Sequence, residues 1–298
     1  MTTQLRRSFL FVPADNERLL HSAVGKPCDV VILDLEDGIH SSRKQQARDA
    51  LPESIRKVRQ AGKAAAVRIN GALNTAVTDL RAAVMDGLDL VLLPKVEHPR
   101  DVQLLSSVVT ELENACQLRV GGIRFLIQIE SALALTRLHD IAAADPRVMG
   151  MMLGSEDFSL DCGGLPSPEA LMQPSLMVLY AARAAGIQPV GFVGSIAELG
   201  EPEHFRLKLE QARRLGFRGA VVVHPKFLEH VNACNTPTKE QFEKARKLVT
   251  AFEAANADGL GAVKVDGGMV DKPVYLRAID LIRESAVAFA HTTTLETP

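Results

Sequence analysis

Eight short, nearly uninterrupted apolar runs separated by helix-patterned segments constrain this chain more than any other feature. They are SFLFVPA from Ser8, DVVILDLED from Asp29, AAVRIN from Ala65, LVLLPKVE from Leu90, RFLIQIES from Arg124, VMGMMLGSEDF from Val148, PVGFVGS from Pro189 and GAVVVHP from Gly219. A run without polar alternation suits a strand covered on both faces, as in a parallel sheet. Eight such strands alternating with helices predict an α/β fold, a TIM (β/α)8 barrel, rather than an open doubly wound sheet. No G-x-G-x-x-G follows the first run, where LFVPADNE stands, so a dinucleotide-binding sheet is not indicated.

Between the runs, Asn74 is placed to cap a helix with Val77, Leu80 and Val84 on one face and Gly87 as its stop. Thr238 and Gln241 form a capping-box pattern ahead of Phe242, Ala245, Val249 and Phe252, with Gly259 beyond. After the eighth run the chain continues through the helix from Thr238, a glycine-rich stretch DGLGAVKVDGGMVDKP and a last helix from about Val274. A barrel needs only one helix there. The expected organisation is a TIM-barrel catalytic domain over residues 1–258 with a C-terminal helical extension over 259–298, acting as a lid, a subunit contact or both.

With 298 residues, 47% hydrophobic and 23% charged, and a net charge of −2, the composition is that of an ordinary globular protein and asks for neither nucleic acid nor a membrane. No run reaches the ~20 apolar residues that cross a bilayer. Asp15 and Glu17 interrupt the start too soon for a secretory signal, so a cytoplasmic location is expected. Cys28, Cys116, Cys162 and Cys234 are scattered, which indicates neither a disulfide framework nor structural zinc. Trp is absent and Tyr occurs only at positions 180 and 275, leaving no aromatic platform for stacked bases or sugars.

Several functional side chains close these runs, and a barrel gathers its strand ends around one mouth. Glu130 and Asp157 end consecutive runs, hence neighbouring strands, which lie ~4.8 Å apart. Two carboxylates so placed can share a hard cation; Mg²⁺ takes one or two, with water and substrate oxygens completing its shell. Each acid can equally cap the helix that follows. Arg68, with Asn70 two residues on, is suited to holding a carboxylate or an enolate oxygen, or to a structural ion pair with Asp34, Glu36 or Asp37. Within LDLED, Asp34 and Glu36 share a face that Asp37 opposes. Lys95 raises the alternative of Schiff-base chemistry, which the acids disfavour. His224 is a candidate base or a loop hydrogen-bonding group, His139 reads as structural, and Asp271 before Pro273 reads as a helix cap.

RSFLFVPADNERLL, VILDLEDGI, VRIN, LPKVE, IQIES, GSEDFSLDCG, VHP and DGGMVDKP, in this order, resemble the citrate lyase β-subunit-like family within the HpcH/HpaI aldolase and malyl-CoA lyase superfamily over nearly the whole chain. The resemblance implies a TIM barrel assembled as a trimer or hexamer. It implies Mg²⁺-dependent carbon–carbon lyase chemistry on a 3-hydroxyacyl-CoA thioester of the malyl-, citramalyl- or citryl-CoA type, giving an acyl-CoA and a 2-oxo acid. Alternatives are a citrate lyase β subunit acting on a carrier-bound citryl group, or a hydroxyacyl-CoA thioesterase. Matched residue by residue, the metal ligands fall on Glu130 and Asp157, substrate contact on Arg68 and Glu130, and catalysis on Arg68 and Asp271. The acid matching Asp271 is delivered to a neighbouring subunit, whose active site the extension would cover. Arg18, Arg43 and Lys44 are plausible contacts for the carrier's phosphates. The segment IQPVGFVGSIAELGEP departs from the family pattern, which bears on the acyl preference.

Overall fold

A strand lies at each of the eight apolar runs, though the seventh run shares only Pro189 with its strand: β1 (Ser8–Pro13), β2 (Val30–Asp34), β3 (Ala64–Arg68), β4 (Leu88–Leu93), β5 (Arg124–Ile129), β6 (Val148–Leu153), β7 (Gln188–Pro189) and β8 (Ala220–Val222). Helices lie between them: α1 (Glu17–Val24), α2 (Lys44–Gln60), α3 (Leu73–Ala83), α4 (Pro99–Ala115), α5 (Ala132–Leu135), α6 (Leu138–Ala142), α7 (Ser155–Asp161), α8 (Pro168–Ala184) and α9 (Pro202–Leu215). Then come α10 (Leu228–Cys234), α11 (Lys239–Ala257), a hairpin of β9 (Val263–Val265) and β10 (Gly268–Val270), and α12 (Lys272–Thr293). The structure is a computed structural model that describes residues 5–198 and 200–293. It separates into two compact units, divided between Asn232 and Ala233.

The first unit is a TIM barrel. Its strands are parallel in the order β7-β6-β5-β4-β3-β2-β1-β8, each neighbour following in sequence except across the β1–β8 pairing. β7 is only two residues long, and the seam is closed by Arg218 N–H donating to Pro189 O at 2.8 Å and Gly191 N–H to Gly219 O at 2.9 Å.

Alternate residues fill the barrel: Phe9, Val30, Ile32, Ala64, Ala66, Leu90, Leu92 and Leu126 belong to one buried cluster with Met152, Val190 and Val221. Side chains two apart on a strand share a face. The same inward face therefore continues from Ile32 to Asp34, from Ala66 to Arg68, and from Leu126 to Gln128. Apolar packing below thus fixes the direction of the polar groups above it.

The opposite end of the barrel is closed by charge. Arg147, just before β6, sends Nε to Ser106 Oγ, Nη1 to Glu113 Oε1 and Ile123 O, and Nη2 to Glu113 Oε2 and Thr110 Oγ1. All five guanidinium N–H groups are used. Glu113, with no exposed surface, also accepts from the N–H groups of Gly121 and Ile123. Burial works against its charge, but Arg147 and these N–H groups outweigh that and hold its pKa below the ordinary carboxylate value.

The helix after β3 begins differently from its sequence signal. Its N-cap is Ala72, without a side-chain bond, and Asn74 lies exposed in the first turn. The phase of α3 is set by its buried face, Ala76, Asp79, Leu80 and Ala83, with Asp79 taking the N–H of Asn70 at 2.8 Å and Arg48 Nε at 2.7 Å.

In the second unit, Thr238 and Gln241 form the expected reciprocal capping box of α11. Phe252 of α11 stacks on Tyr275 of α12 at 4.7 Å, and Tyr275 donates its hydroxyl to Glu253. The glycine-rich stretch is a hairpin turning at Asp266 (φ 49) and Gly267 (φ 84). Positive φ at both central residues marks the type I′ turn that Asp-Gly favours. Asp271 caps α12, accepting from Val274 N–H at 3.2 Å through its carboxylate and from Tyr275 N–H through its carbonyl. Among the described residues no helix is long and apolar enough to cross a membrane.

Candidate active site

β2 and β3 run with Asp34 beside Arg68 in register. The pairing becomes a two-pronged ion pair, Arg68 Nε to Asp34 Oδ1 at 2.6 Å and Nη2 to Oδ2 at 2.7 Å. Asp34 is oriented in turn by the N–H groups of Glu36 and Gly38. Nη1 of Arg68 lies 2.8 Å from Glu36 Oε2, and the guanidinium stacks 4.7 Å from the Phe11 ring centroid. Burial opposes the positive charge, but Asp34, Glu36 and Glu130 outweigh it and push the pKa of Arg68 above its ordinary value. A bidentate carboxylate fixes the guanidinium plane and leaves N–H groups on Nη1 and Nη2 for another acceptor.

Glu130 follows β5 and is 3% exposed. Its Oε2 accepts Lys95 N–H at 2.7 Å and its Oε1 accepts Gln128 Nε2 at 2.7 Å. It does not cap α5; Ser131 does, through Ala134 N–H. Asp157 stands in the first turn of α7, within hydrogen-bonding reach of Glu130. Burial foremost, with the nearby charges of Glu36 and Asp157, pushes the pKa of Glu130 up to about 8, although the Lys95 N–H pulls the other way. The two carboxyls repel each other unless something positive joins them. Gly154 makes room for this arrangement: a Cβ there would meet Glu130 Cγ at 2.5 Å and Gln128 Nε2 at 2.8 Å.

Lys95 has left-handed backbone (φ 52), which aims its N–H at Glu130, while its Nζ lies 2.8 Å from Glu36 Oε1 and 3.6 Å from Asp37 Oδ2. Burial lowers its pKa less than Glu36, Asp37 and Asp157 raise it, so the amine stays above its ordinary range. A lysine held as ammonium is not an imine-forming nucleophile. Glu36 is buried between Arg68 and Lys95, and burial leads the upward push on its own pKa.

Arg68, Asp157 and Gln128 line one cavity of about 500 Å³ that reaches into the barrel, with Glu130 behind Gln128 and Gly154. His224 caps a short 3-10 turn, accepting from Lys226 N–H, and His139 is exposed on α6. Lys44 does not face a phosphate, because its ammonium is taken up by Leu35 O, Glu36 O and Asn70 Oδ1 at 2.6 to 2.8 Å. Arg43 pairs with Asp15. Arg18 lies exposed on α1, and Asp271 stands in the other compact unit. Sequence reasoning missed the contribution of Gln128, although its place two residues before Glu130 puts it on the same strand face. It also missed Ser195, whose hydroxyl donates to Glu156 Oε1 at 2.5 Å.

The profile of the HpcH/HpaI aldolase/citrate lyase family matches residues 7–225. The chain is 34% identical to the citrate lyase subunit beta of Leuconostoc mesenteroides subsp. cremoris, over 92% of this chain and 91% of that one. It is 32% identical to the L-malyl-CoA/beta-methylmalyl-CoA lyase of Cereibacter sphaeroides (strain ATCC 17025 / ATH 2.4.3), over 95% and 96% respectively. Among solved structures it is similar to the protein CitE from Mycobacterium tuberculosis in complex with magnesium, acetoacetate and coenzyme A. That match has a TM-score of 0.71 and 28% identity, covering 95% of this chain and 98% of the other. With barrel, strand-end acids and arginine in place, the chain is a lyase belonging to the HpcH/HpaI aldolase/citrate lyase family.

Proposed function

We propose that this chain is a Mg²⁺-dependent carbon–carbon lyase that cleaves a 3-hydroxyacyl-CoA thioester into an acyl-CoA and a 2-oxo acid. The observation that carries the reading is the adjoining pair of Glu130 and Asp157 carboxyls in the same mouth as the Asp34-locked Arg68. Among the described residues no third His, Cys, Asp or Glu joins the pair. That suits a hard ion that needs only one or two protein carboxylates, and the donors are all oxygen. The upward push on Glu130 is the further sign of fit, since a cation would relieve the same repulsion that a proton relieves.

Mg²⁺, when bound, supplies Lewis acidity toward the hydroxyl and carboxylate oxygens of the substrate. Glu130 and Asp157 hold it, and Lys95 N–H and Gln128 Nε2 fix the orientation of Glu130. As the carbon–carbon bond breaks, its electron pair passes into the thioester and charge grows on the thioester oxygen. Arg68, kept cationic and planar by Asp34, stabilises that charge. The hydroxyl gives its proton to water as the 2-oxo acid forms, and protonated Asp271 delivers one to the acyl carbon as general acid, so no net proton is gained or lost. We place Asp271 in the site of a neighbouring copy within a homotrimer or hexamer.

Incubating the purified full chain with Mg²⁺ and malyl-, citramalyl- or citryl-CoA is expected to release a 2-oxo acid with the acyl-CoA intact. Free thiol with the hydroxy acid uncleaved would replace the lyase with a hydrolase, and no reaction with any thioester would refute it. For Asp271, the expected result is complementation: Asp271→Asn and Glu130→Ala chains, each inactive alone, regain part of the parental activity when co-expressed. Mixed oligomers as inactive as either variant would remove Asp271 from the neighbour's site.

A further inference from the structure

The segment that departs from the family pattern builds one wall of the cavity. Val190, Phe192 and Ile196 from that segment face it, together with Phe11, Met152 and Val221. Most of the lining is therefore hydrocarbon, next to Asp157 and Arg68. Among the described residues Arg68 is the one basic residue in the lining, and its charge already faces Asp34 and Glu36. Two cations beside the lining are committed elsewhere: Lys95 to Glu36 and Asp37, and Lys208, beside Gly194, to Glu198. Asp37, Glu156 and Asp157 add negative charge to the same lining. Two buried polar atoms in it have no hydrogen-bond partner, Gln128 Oε1 and Ser175 Oγ, and neither brings a positive charge.

A substrate with one carboxylate can place it where Glu130 and Asp157 would hold Mg²⁺, leaving Arg68 to the thioester oxygen. A carboxymethyl branch on the hydroxyl-bearing carbon would bring a second carboxylate into a cavity where, among the described residues, no basic side chain besides Arg68 lines the wall, and desolvating it there is costly. A hydrocarbon branch at that carbon instead buries its surface against Val190, Phe192 and Ile196. We infer that the cavity selects 3-hydroxyacyl thioesters with a single carboxylate and an apolar branch on the hydroxyl-bearing carbon, so that the 2-oxo acid released is a monocarboxylate with a short alkyl chain. This inference rests on the lyase reading for its chemistry and on the cavity wall for its selectivity.

Binding tests it independently of turnover. With the full chain and saturating Mg²⁺, calorimetric titration with pyruvate, 2-oxobutanoate, 2-oxopentanoate and oxaloacetate is expected to show affinity rising about fourfold per added methylene, the factor corresponding to ~0.8 kcal/mol of burial. Oxaloacetate is expected to bind roughly tenfold or more weakly than 2-oxobutanoate, the cost of an unpaired charge. In the Ile196→Arg chain the order of oxaloacetate and 2-oxobutanoate is expected to reverse. Oxaloacetate binding as tightly as 2-oxobutanoate in the parental chain would overturn the inference, as would loss of affinity on lengthening pyruvate or absence of binding by all four. Failure to cleave any thioester, with the expected order of binding intact, would count against the lyase reading alone.

Discussion

Replacing Glu130 or Asp157 by Ala is expected to lower Mg²⁺-dependent cleavage by at least about 10³-fold, the several kcal/mol that a Lewis acid supplies to a developing charge. The barrel should remain folded. Glu130 is buried among like charges, and its pKa is raised from 4.5 to about 8. A carboxyl whose folded pKa is raised binds its proton more tightly when folded, so it costs stability increasingly as pH climbs from the unfolded toward the folded value. Near pH 8 the Glu130→Ala chain should therefore melt no lower than its parent on electrostatic grounds. What it should lose is the rise in melting temperature that Mg²⁺ gives the parental protein, because a ligand stabilises only the state that binds it. Unchanged turnover without either acid, or an undiminished Mg²⁺ shift, would show that the ion is held elsewhere.

The second large effect lies at the other end of the barrel. Glu113→Ala is expected to cost about 3–5 kcal/mol in chemical denaturation, because it strands the buried guanidinium of Arg147 without a counter-charge. The pH dependence supplies the sign. Glu113 has a folded pKa below its ordinary 4.5, so its contribution is complete above that value and lost as pH falls through the lower folded one. The gap between parent and variant should be constant near neutrality and narrow only in acid. A loss below 1 kcal/mol at pH 7 would mean that Arg147 finds other acceptors. Mg²⁺ binding by the folded variant should be unchanged.

The eight strands were legible because parallel strands in a closed barrel are covered on both faces, and continuous apolar runs record that burial. Period-two alternation carries that legibility into chemistry for Arg68, which faces inward with Ala66; Gln128 follows Leu126 by the same rule and was missed. Partner choice was less legible. Alternation put Asp34, Glu36 and Arg68 on compatible faces, but it did not say that Asp34 would take the guanidinium with both oxygens while Glu36 bridged to Lys95. The left-handed backbone of Lys95 had no signal, since lysine has no preference for that region. Asn74 misled because local propensity placed a cap where the buried contacts of Asp79 set the helix phase. The β9–β10 hairpin was hidden by its glycines, although Asp266-Gly267 between valine-bearing segments carries the turn's own signature.

The order of the strands separates two kinds of labour around the rim. One arc, from β2 to β6, carries the charged groups and their mutual orientation; the opposite arc, from β7 through β8 to β1, contributes hydrocarbon and one short, lightly bonded seam. On the selectivity proposed above, substitutions on the second arc are expected to change what is admitted while leaving the Arg68–Asp34 and Lys95–Glu36 pairs of the first in place.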